Sequence, residues 1–110
     1  MTKAKDLARL GQISQLILDV KLAALHVAAG KRQQSLDLLA NLNMPSAPGD
    51  LSLIATHRAE LQYQHWADAR RAEINLLLAH QTAEMHLAHD AAGQAFGKDQ
   101  ALRGLQNRVR

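Results

Sequence analysis

Three histidines, His80, His86 and His89, fall within the stretch "HQTAEMHLAHD", residues 80–90, in a chain that has six histidines in all. Imidazole is a common metal ligand, so this density raises the question of a metal site. On a helix, His86 lies beside His89 and one turn before Asp90, whereas His80 and His89 point to opposite sides. One helix then supplies two ligands, and a structural zinc site needs four. We interpret the histidines as solvated side chains and predict no metal; a site at His86, His89 and Asp90 completed by another segment is the alternative.

The second chemically rich stretch is "HRAELQYQHWADARRAE", residues 57–73. Tyr63 and Trp66 are three residues apart and share a helix face, along which Arg70 continues. Tryptophan, tyrosine and arginine dominate the binding energy of protein interfaces, so this cluster is a candidate contact for a partner. The structural alternative is that Trp66 packs between helices as the largest core residue.

Catalytic signatures are not evident. The sequence shows no paired acids in an evident pocket, no nucleophile on a strained turn and no glycine-rich phosphate loop. We therefore predict a protein that is not an enzyme and needs no cofactor. A small helical enzyme similar to chorismate mutases is a third-ranked alternative, although such enzymes need a third helix and several arginines, and the first helix here offers Arg9 and Arg32.

Composition favours a thin helical object in the cytoplasm. Hydrophobic residues make up 47% of the chain but aromatic residues only 3%, whereas thick cores draw much of their buried area from aromatic side chains. No stretch approaches the roughly 20 apolar residues that cross a bilayer, and Asp6 and Arg9 interrupt any secretory segment. We expect no membrane insertion.

One break organises the chain: "NMPSAPGD", residues 43–50, which holds both prolines. Proline stops a helix, and Asp50 suits the N-cap of the next one. The sequence predicts helix 1 at about 3–42, a tip at 43–50 and helix 2 at about 51–107, all in a single domain, 1–110. The predicted fold class is all-α: a long two-helix antiparallel coiled-coil hairpin whose second helix is longer and has a C-terminal overhang.

Helix 1 carries two apolar stripes, which is more than one partner helix needs. The first has the alternating three- and four-residue spacing of a heptad seam: Leu10, Ile13, Ile17, Val20, Ala24 and Val27. The second begins with Leu18, Leu22 and Leu25. Helix 2 has one clear seam from Ile74 through Met85, Ala95 and Leu102 to Val109, in which Asp99 is the position that fails. A dimer or a partner protein is expected to cover the second stripe.

Folding the chain at the break pairs residues whose numbers sum to about 93, which places Lys3 near Asp90. Residues 93–110 would then have nothing opposite them and would form the overhang, with Phe96 and Leu102 as its apolar stripe. Both ends of the chain are basic, through Lys3, Lys5 and Arg9 at one end and Arg103 and Arg108 at the other. Since carboxylates are interspersed and no reader motif appears, we predict protein partners and no nucleic acid.

The run "WADARRAEINLLLAHQTAEMHLAHDAAGQAFGKDQAL", residues 66–102, together with the hairpin shape, resembles the FliJ family of flagellar type III export proteins and its YscO-type relatives. The resemblance implies a cytoplasmic, non-catalytic two-helix coiled coil that binds the export ATPase and the export gate and escorts chaperones. It would place the ATPase contact at the basic end and a gate or chaperone contact near Trp66–Ile74.

The expected partner-binding residues therefore fall in two groups, one around the aromatic cluster and one in the C-terminal segment. They are Tyr63, Trp66, Arg70, Ile74, Phe96, Leu102, Arg103 and Arg108. The export role predicts a monomeric or weakly associating rod. The alternative from another class is a generic self-associating hairpin that forms a homodimer or four-helix bundle, with a concentration-dependent melting temperature.

Overall fold

The computed structural model describes residues 2–43 and 52–109 and consists of two long helices, α1 (Thr2–Leu42) and α2 (Leu53–Val109). The molecule is a rod measuring 85 × 22 × 15 Å. This confirms the predicted all-α helical hairpin. The predicted tip and the Asp50 cap lie outside the described residues, apart from Asn43. Ser52 caps α2, because its hydroxyl accepts a hydrogen bond from the Ala55 amide at 3.3 Å.

The helices are antiparallel, and three side-chain contacts fix their register. Gln106 Nε2 donates to the carbonyl of Leu7 at 2.8 Å, Ser14 bonds Asp99, and Ser35 bonds Gln81. Residue numbers of paired positions therefore sum to about 114. The prediction of pairs that sum to about 93, with residues 93–110 as an unpaired C-terminal overhang, is wrong.

The longer helix extends past its partner at the other end. α1 ends at Leu42, whose carbonyl accepts a hydrogen bond from Arg71 Nη2 at 3.5 Å. α2 begins 18 residues before Arg71, which corresponds to about 27 Å of helix. Tyr63 reaches back from this extension and donates to the same Leu42 carbonyl at 3.2 Å. These two donors satisfy a carbonyl that the end of a helix leaves without an intrahelical partner.

Each helix contributes one seam with alternating spacings of three and four residues, the pattern of a coiled coil. In α1 the seam residues, all buried or half-buried, are Leu7, Gly11, Ser14, Leu18, Leu25, Ala28, Arg32, Ser35, Leu39 and Leu42. In α2 they are Ala67, Arg71, Ile74, Leu78, Gln81, Met85, Ala88, Ala92, Ala95, Asp99, Leu102 and Gln106. The predicted α2 seam is the observed one from Ile74 to Leu102, and Asp99 belongs to it, whereas Val109 is exposed and its prediction as a seam residue is wrong. In α1 the seam is close to the second predicted stripe, and the first stripe lies outside it.

Small and polar residues characterise this seam. Alanine, serine and glycine allow close approach of the two backbones but bury little apolar area per residue. Polar pairs cross the seam at intervals: Ser14 with Asp99, Arg32 with Thr82 and Ser35 with Gln81. Every buried side-chain nitrogen and oxygen in the described residues has a hydrogen-bond partner. In a slipped register these donors and acceptors would no longer lie opposite each other. The polar pairs therefore favour this register over a slipped one.

Candidate interaction surface

The aromatic cluster lies where α1 ends. The ring centroids of Tyr63 and Trp66 are 5.8 Å apart, with an angle of 42° between the ring planes. Trp66 is 57% exposed, so the structural alternative that made it the largest core residue is wrong. A shallow pocket of about 330 Å³ lies between these rings and the last turn of α1, including Leu38. An exposed tryptophan beside a shallow apolar pocket is a typical anchor for a protein partner.

The two residues predicted to extend this cluster differ in what they can do. Arg70 is exposed and its Nη1 lies 3.1 Å from Glu73 Oε2, so it is an available surface charge. Ile74 is 2% exposed and packs in the hydrophobic cluster with Leu42 and Ala67. The expectation that Ile74 contacts a partner is therefore wrong while the hairpin is closed, because α1 already covers it.

At the opposite end of the rod, a buried carboxylate organises the surface. Asp99 is 2% exposed and accepts a hydrogen bond from Ser14 Oγ at 3.2 Å. Arg103 Nε pairs with the same carboxylate at 3.0 Å, and its Nη2 donates to Gln15 Oε1 at 2.8 Å. The Arg103 side chain therefore has two partners within the hairpin, Asp99 and Gln15.

These side chains line an open groove of about 760 Å³ between the start of α1 and the end of α2. Its polar groups include the Gln15 and Gln106 amides, which already bond within the hairpin. Lys3, Lys5, Arg9 and Arg108 surround this end as exposed side chains. The groove is therefore the polar part of a basic end.

Phe96 and Leu102 do not form the continuous stripe of a free tail. Phe96 is exposed, whereas Leu102 is half-buried in the seam against α1. The prediction that Leu102 is free to bind a partner is wrong, because the corrected register places α1 opposite it.

An extended apolar surface without a partner in the hairpin lies on one flank. Gln15 and Arg103 each come directly after a seam residue, and their side chains hydrogen-bond to each other on one flank of the hairpin. Residues that come directly before a seam residue therefore lie on the opposite flank. On that flank we define the apolar face as ten residues from both helices. They are Leu10, Ile13, Ile17, Val20, Ala24, Val27, Leu87, Ala91, Ala101 and Leu105.

Nine of these ten side chains are exposed, and Ala91 is half-buried. The stripe predicted as the seam of α1 is thus on the surface, about 100° around the helix from the true seam.

The same region of α1 holds the most apolar stretch of the chain. One 18-residue window in Thr2–Leu42 has a mean hydropathy of 1.4 with at most two charged residues, and 6% of it is buried. By length and composition alone this window is long enough to span a bilayer, so the expectation that no stretch approaches this limit is wrong.

The histidines lie on the surface of α2. His80 Nε2 is 3.0 Å from Glu84 Oε1, and His89 Nδ1 is 3.8 Å from Asp90 Oδ1. Within residues 2–43 and 52–109, no group of three or more histidine, cysteine, aspartate or glutamate side chains is placed to hold a metal ion.

Comparison with known proteins gives no relative: no protein-family model, curated protein or solved structure matches this chain.

Proposed function

We propose that this chain is a non-enzymatic coiled-coil interaction protein of a flagellar or type III protein export apparatus, and that it binds the export ATPase through its basic end. One observation carries the proposal: the hairpin brings the start of α1 and the end of α2 together at one end of an 85 Å rod. The basic side chains of both termini therefore form one cluster. Its members are Lys3, Lys5, Arg9, Lys98, Arg103 and Arg108.

Two acidic residues, Asp6 and Asp99, lie among these six basic ones, and Asp99 is buried against Arg103. The outward charge of this end is therefore positive. A basic surface at the end of a rod steers the molecule towards an acidic partner and fixes its orientation on contact. This is the kind of contact that a stalk-like protein makes with an ATPase ring, and it is what the resemblance of residues 66–102 implies.

The aromatic cluster supplies a second surface at the opposite end. Trp66 and Tyr63 are separated from the basic end by most of the length of the rod, so two partners can bind at the same time. We assign the export gate or a chaperone to this second surface.

The basic end is tested by charge reversal. Arg9→Glu combined with Arg108→Glu changes two exposed side chains and leaves the Arg103 contacts to Asp99 and Gln15 intact. We expect the affinity for the export ATPase of the same organism to fall about tenfold or more, because rim charges act on long-range attraction. The affinity of the wild-type chain should also weaken as salt is added.

The matched control is Arg58→Glu, a reversal near the start of α2, which should leave the affinity unchanged. Retained affinity in the double variant would remove the basic end as the binding site. If the wild-type chain does not bind the ATPase at all, the export role itself is excluded.

A further inference from the structure

The apolar face is a candidate for a partner, because the hairpin leaves nine of its ten side chains exposed. The flank that carries the apolar face continues past Val27 through Lys31 and Gln34 to Leu38. From Leu10 to Leu38 the flank, polar residues included, is about 42 Å long at the helical rise of 1.5 Å per residue. The rod is 22 Å across at its wider section. The flank therefore offers roughly 900 Å², which is close to the roughly 800 Å² that each partner contributes to a stable protein–protein interface.

We propose that a second copy of this chain covers the apolar face, and that two hairpins form a four-helix bundle with their tips at the same end. The two stripes of α1 point about 100° apart, as do two adjacent neighbours in a four-helix bundle. One stripe packs against α2 of the same chain. The other is directed to where α2 of a second hairpin would lie.

The register of the hairpin predicts what would meet across this interface. A two-fold axis parallel to the rod leaves every residue at the same height along the rod in both copies. Each α1 residue of one copy therefore faces an α2 residue of the other copy such that the two residue numbers sum to about 114, as they do within one hairpin. Leu10 then faces Leu105, Val27 faces Leu87, and Leu38 faces Leu77. Apolar residues therefore meet at these three levels, whereas Val20 faces Gln94 and Gln34 faces His80.

The polar residues of the same flank also find complements. Lys31 of one copy faces Glu84 of the other, which places opposite charges together where the apolar face ends. Lys98 lies opposite Ile17, against which its aliphatic stem can pack while the ammonium group reaches solvent. On a bilayer the Glu84 carboxylate would keep its contact with His80 but would lack the Lys31 ammonium that a second copy supplies, and this argues for a second copy over lipid.

The export assignment predicts a monomeric or weakly associating rod, so it agrees with a weak dimer, whereas a tight dimer would favour the generic self-associating hairpin. Both basic ends lie at the same end of the bundle and remain exposed, as does the Trp66 cluster beyond the end of α1. Because dimerisation is measured without any other protein, the dimer and the ATPase contact can fail separately.

The first arm of the test is sedimentation of the full chain over about 1–300 µM, a range that detects micromolar affinities. We expect a dimer. Val20→Glu should weaken it by about tenfold or more, because it places an unpaired charge in the interface. Leu76→Glu is the matched control, since Leu76 is 77% exposed against 65% for Val20 but lies away from the apolar face. Circular dichroism establishes that both variants keep their helical content.

The second arm identifies the arrangement. The chain has no cysteine, so single cysteines can be introduced freely. Chains carrying Val27→Cys, mixed with chains carrying Leu87→Cys, should form a mixed disulfide on oxidation, whereas mixing with Leu76→Cys should not. Self-linking of Val20→Cys alone would instead show hairpins with opposite directions and would overturn the proposed arrangement.

Three further results would overturn the proposal. One is a single-chain mass at every concentration. Another is a dimer that Val20→Glu does not weaken. The third is a chain that leaves the dimer and binds vesicles of phosphatidylcholine and phosphatidylglycerol through the same face, which would identify lipid as the cover.

Discussion

At the scale of single residues, Asp99 has the most consequential position in the hairpin. From the sequence it is the seam position that breaks the apolar pattern. In the structure it remains in the seam, because Ser14 from α1 and Arg103 one turn later on α2 both bond its carboxylate. The pattern alone could not reveal this, because the register that brings Ser14 opposite Asp99 depends on contacts along the whole length of both helices.

This arrangement predicts the effect of removing the carboxylate. Asp99→Ala leaves the Ser14 hydroxyl and the Arg103 guanidinium without their shared acceptor, so the free energy of unfolding should fall by about 1–3 kcal/mol. Urea denaturation at one fixed protein concentration measures it. The control is Ser14→Ala with Asp99→Leu, which removes both polar partners and should recover most of the loss. An Asp99→Ala variant as stable as the wild type would show that these contacts do not hold the helices together.

The candidate contact residues fall into two groups, surface residues and seam residues. Trp66 and Arg70 lie on the surface as the sequence suggested, whereas Ile74 and Leu102 belong to the seam. Spacing places a residue on a face of its own helix. It correctly placed Ile74 and Leu102 in the α2 seam. They were also expected to contact a partner, Leu102 because the wrong register left nothing opposite it and Ile74 because it continues the aromatic cluster.

At the scale of the helices, the positions of α1 and α2 and the break between them were predictable, and so was the α2 seam from Ile74 to Leu102. Proline removes a backbone donor and stops a helix wherever it stands, and that information is local. Which of the two α1 stripes packs against α2 could not be decided from the local sequence. The stripe with the larger side chains, Leu10 to Val27, has the better heptad pattern, yet α2 packs against the stripe that contains Gly11, Ser14 and Ser35. The alanine-rich seam of α2 fits small residues, and its polar positions need polar partners.

Glycines in α1 provide a prediction at this scale. Gly30 is exposed, and a methyl group added there would meet nothing within 4 Å. Gly30→Ala should therefore stabilise the hairpin by about 1 kcal/mol through helix propensity alone. Thermal or urea unfolding at matched concentration measures the change.

Gly11→Ala is the informative counterpart. Its added methyl group would collide with Gln106 Nε2, which donates to the Leu7 carbonyl. The gain in propensity should then be offset by the loss of this hydrogen bond, worth about 1 kcal/mol. If Gly11→Ala stabilises the chain as much as Gly30→Ala, the contact of Gln106 with the start of α1 is not formed, and the register would need revision.

At the scale of the whole molecule, the hairpin is a rod with three distinct surfaces. The basic end and the aromatic cluster lie far apart along its axis, and the apolar face runs along one flank between them. The sequence predicted that the second stripe of α1 would be left for a partner, and this prediction is wrong. The stripe left open is the first one, from Leu10 to Val27, because the register and not the periodicity decides which stripe meets α2.

The central claim is that two chains cover each other along the apolar face with their tips together. Small-angle X-ray scattering combined with light scattering, recorded over a concentration series, tests it most directly. We expect twice the 12.1 kDa mass of one chain at a maximum dimension that stays close to the 85 Å of the single hairpin, because the two rods lie side by side in register. The mass of one chain at all concentrations, or a dimer much longer than one hairpin, would contradict it.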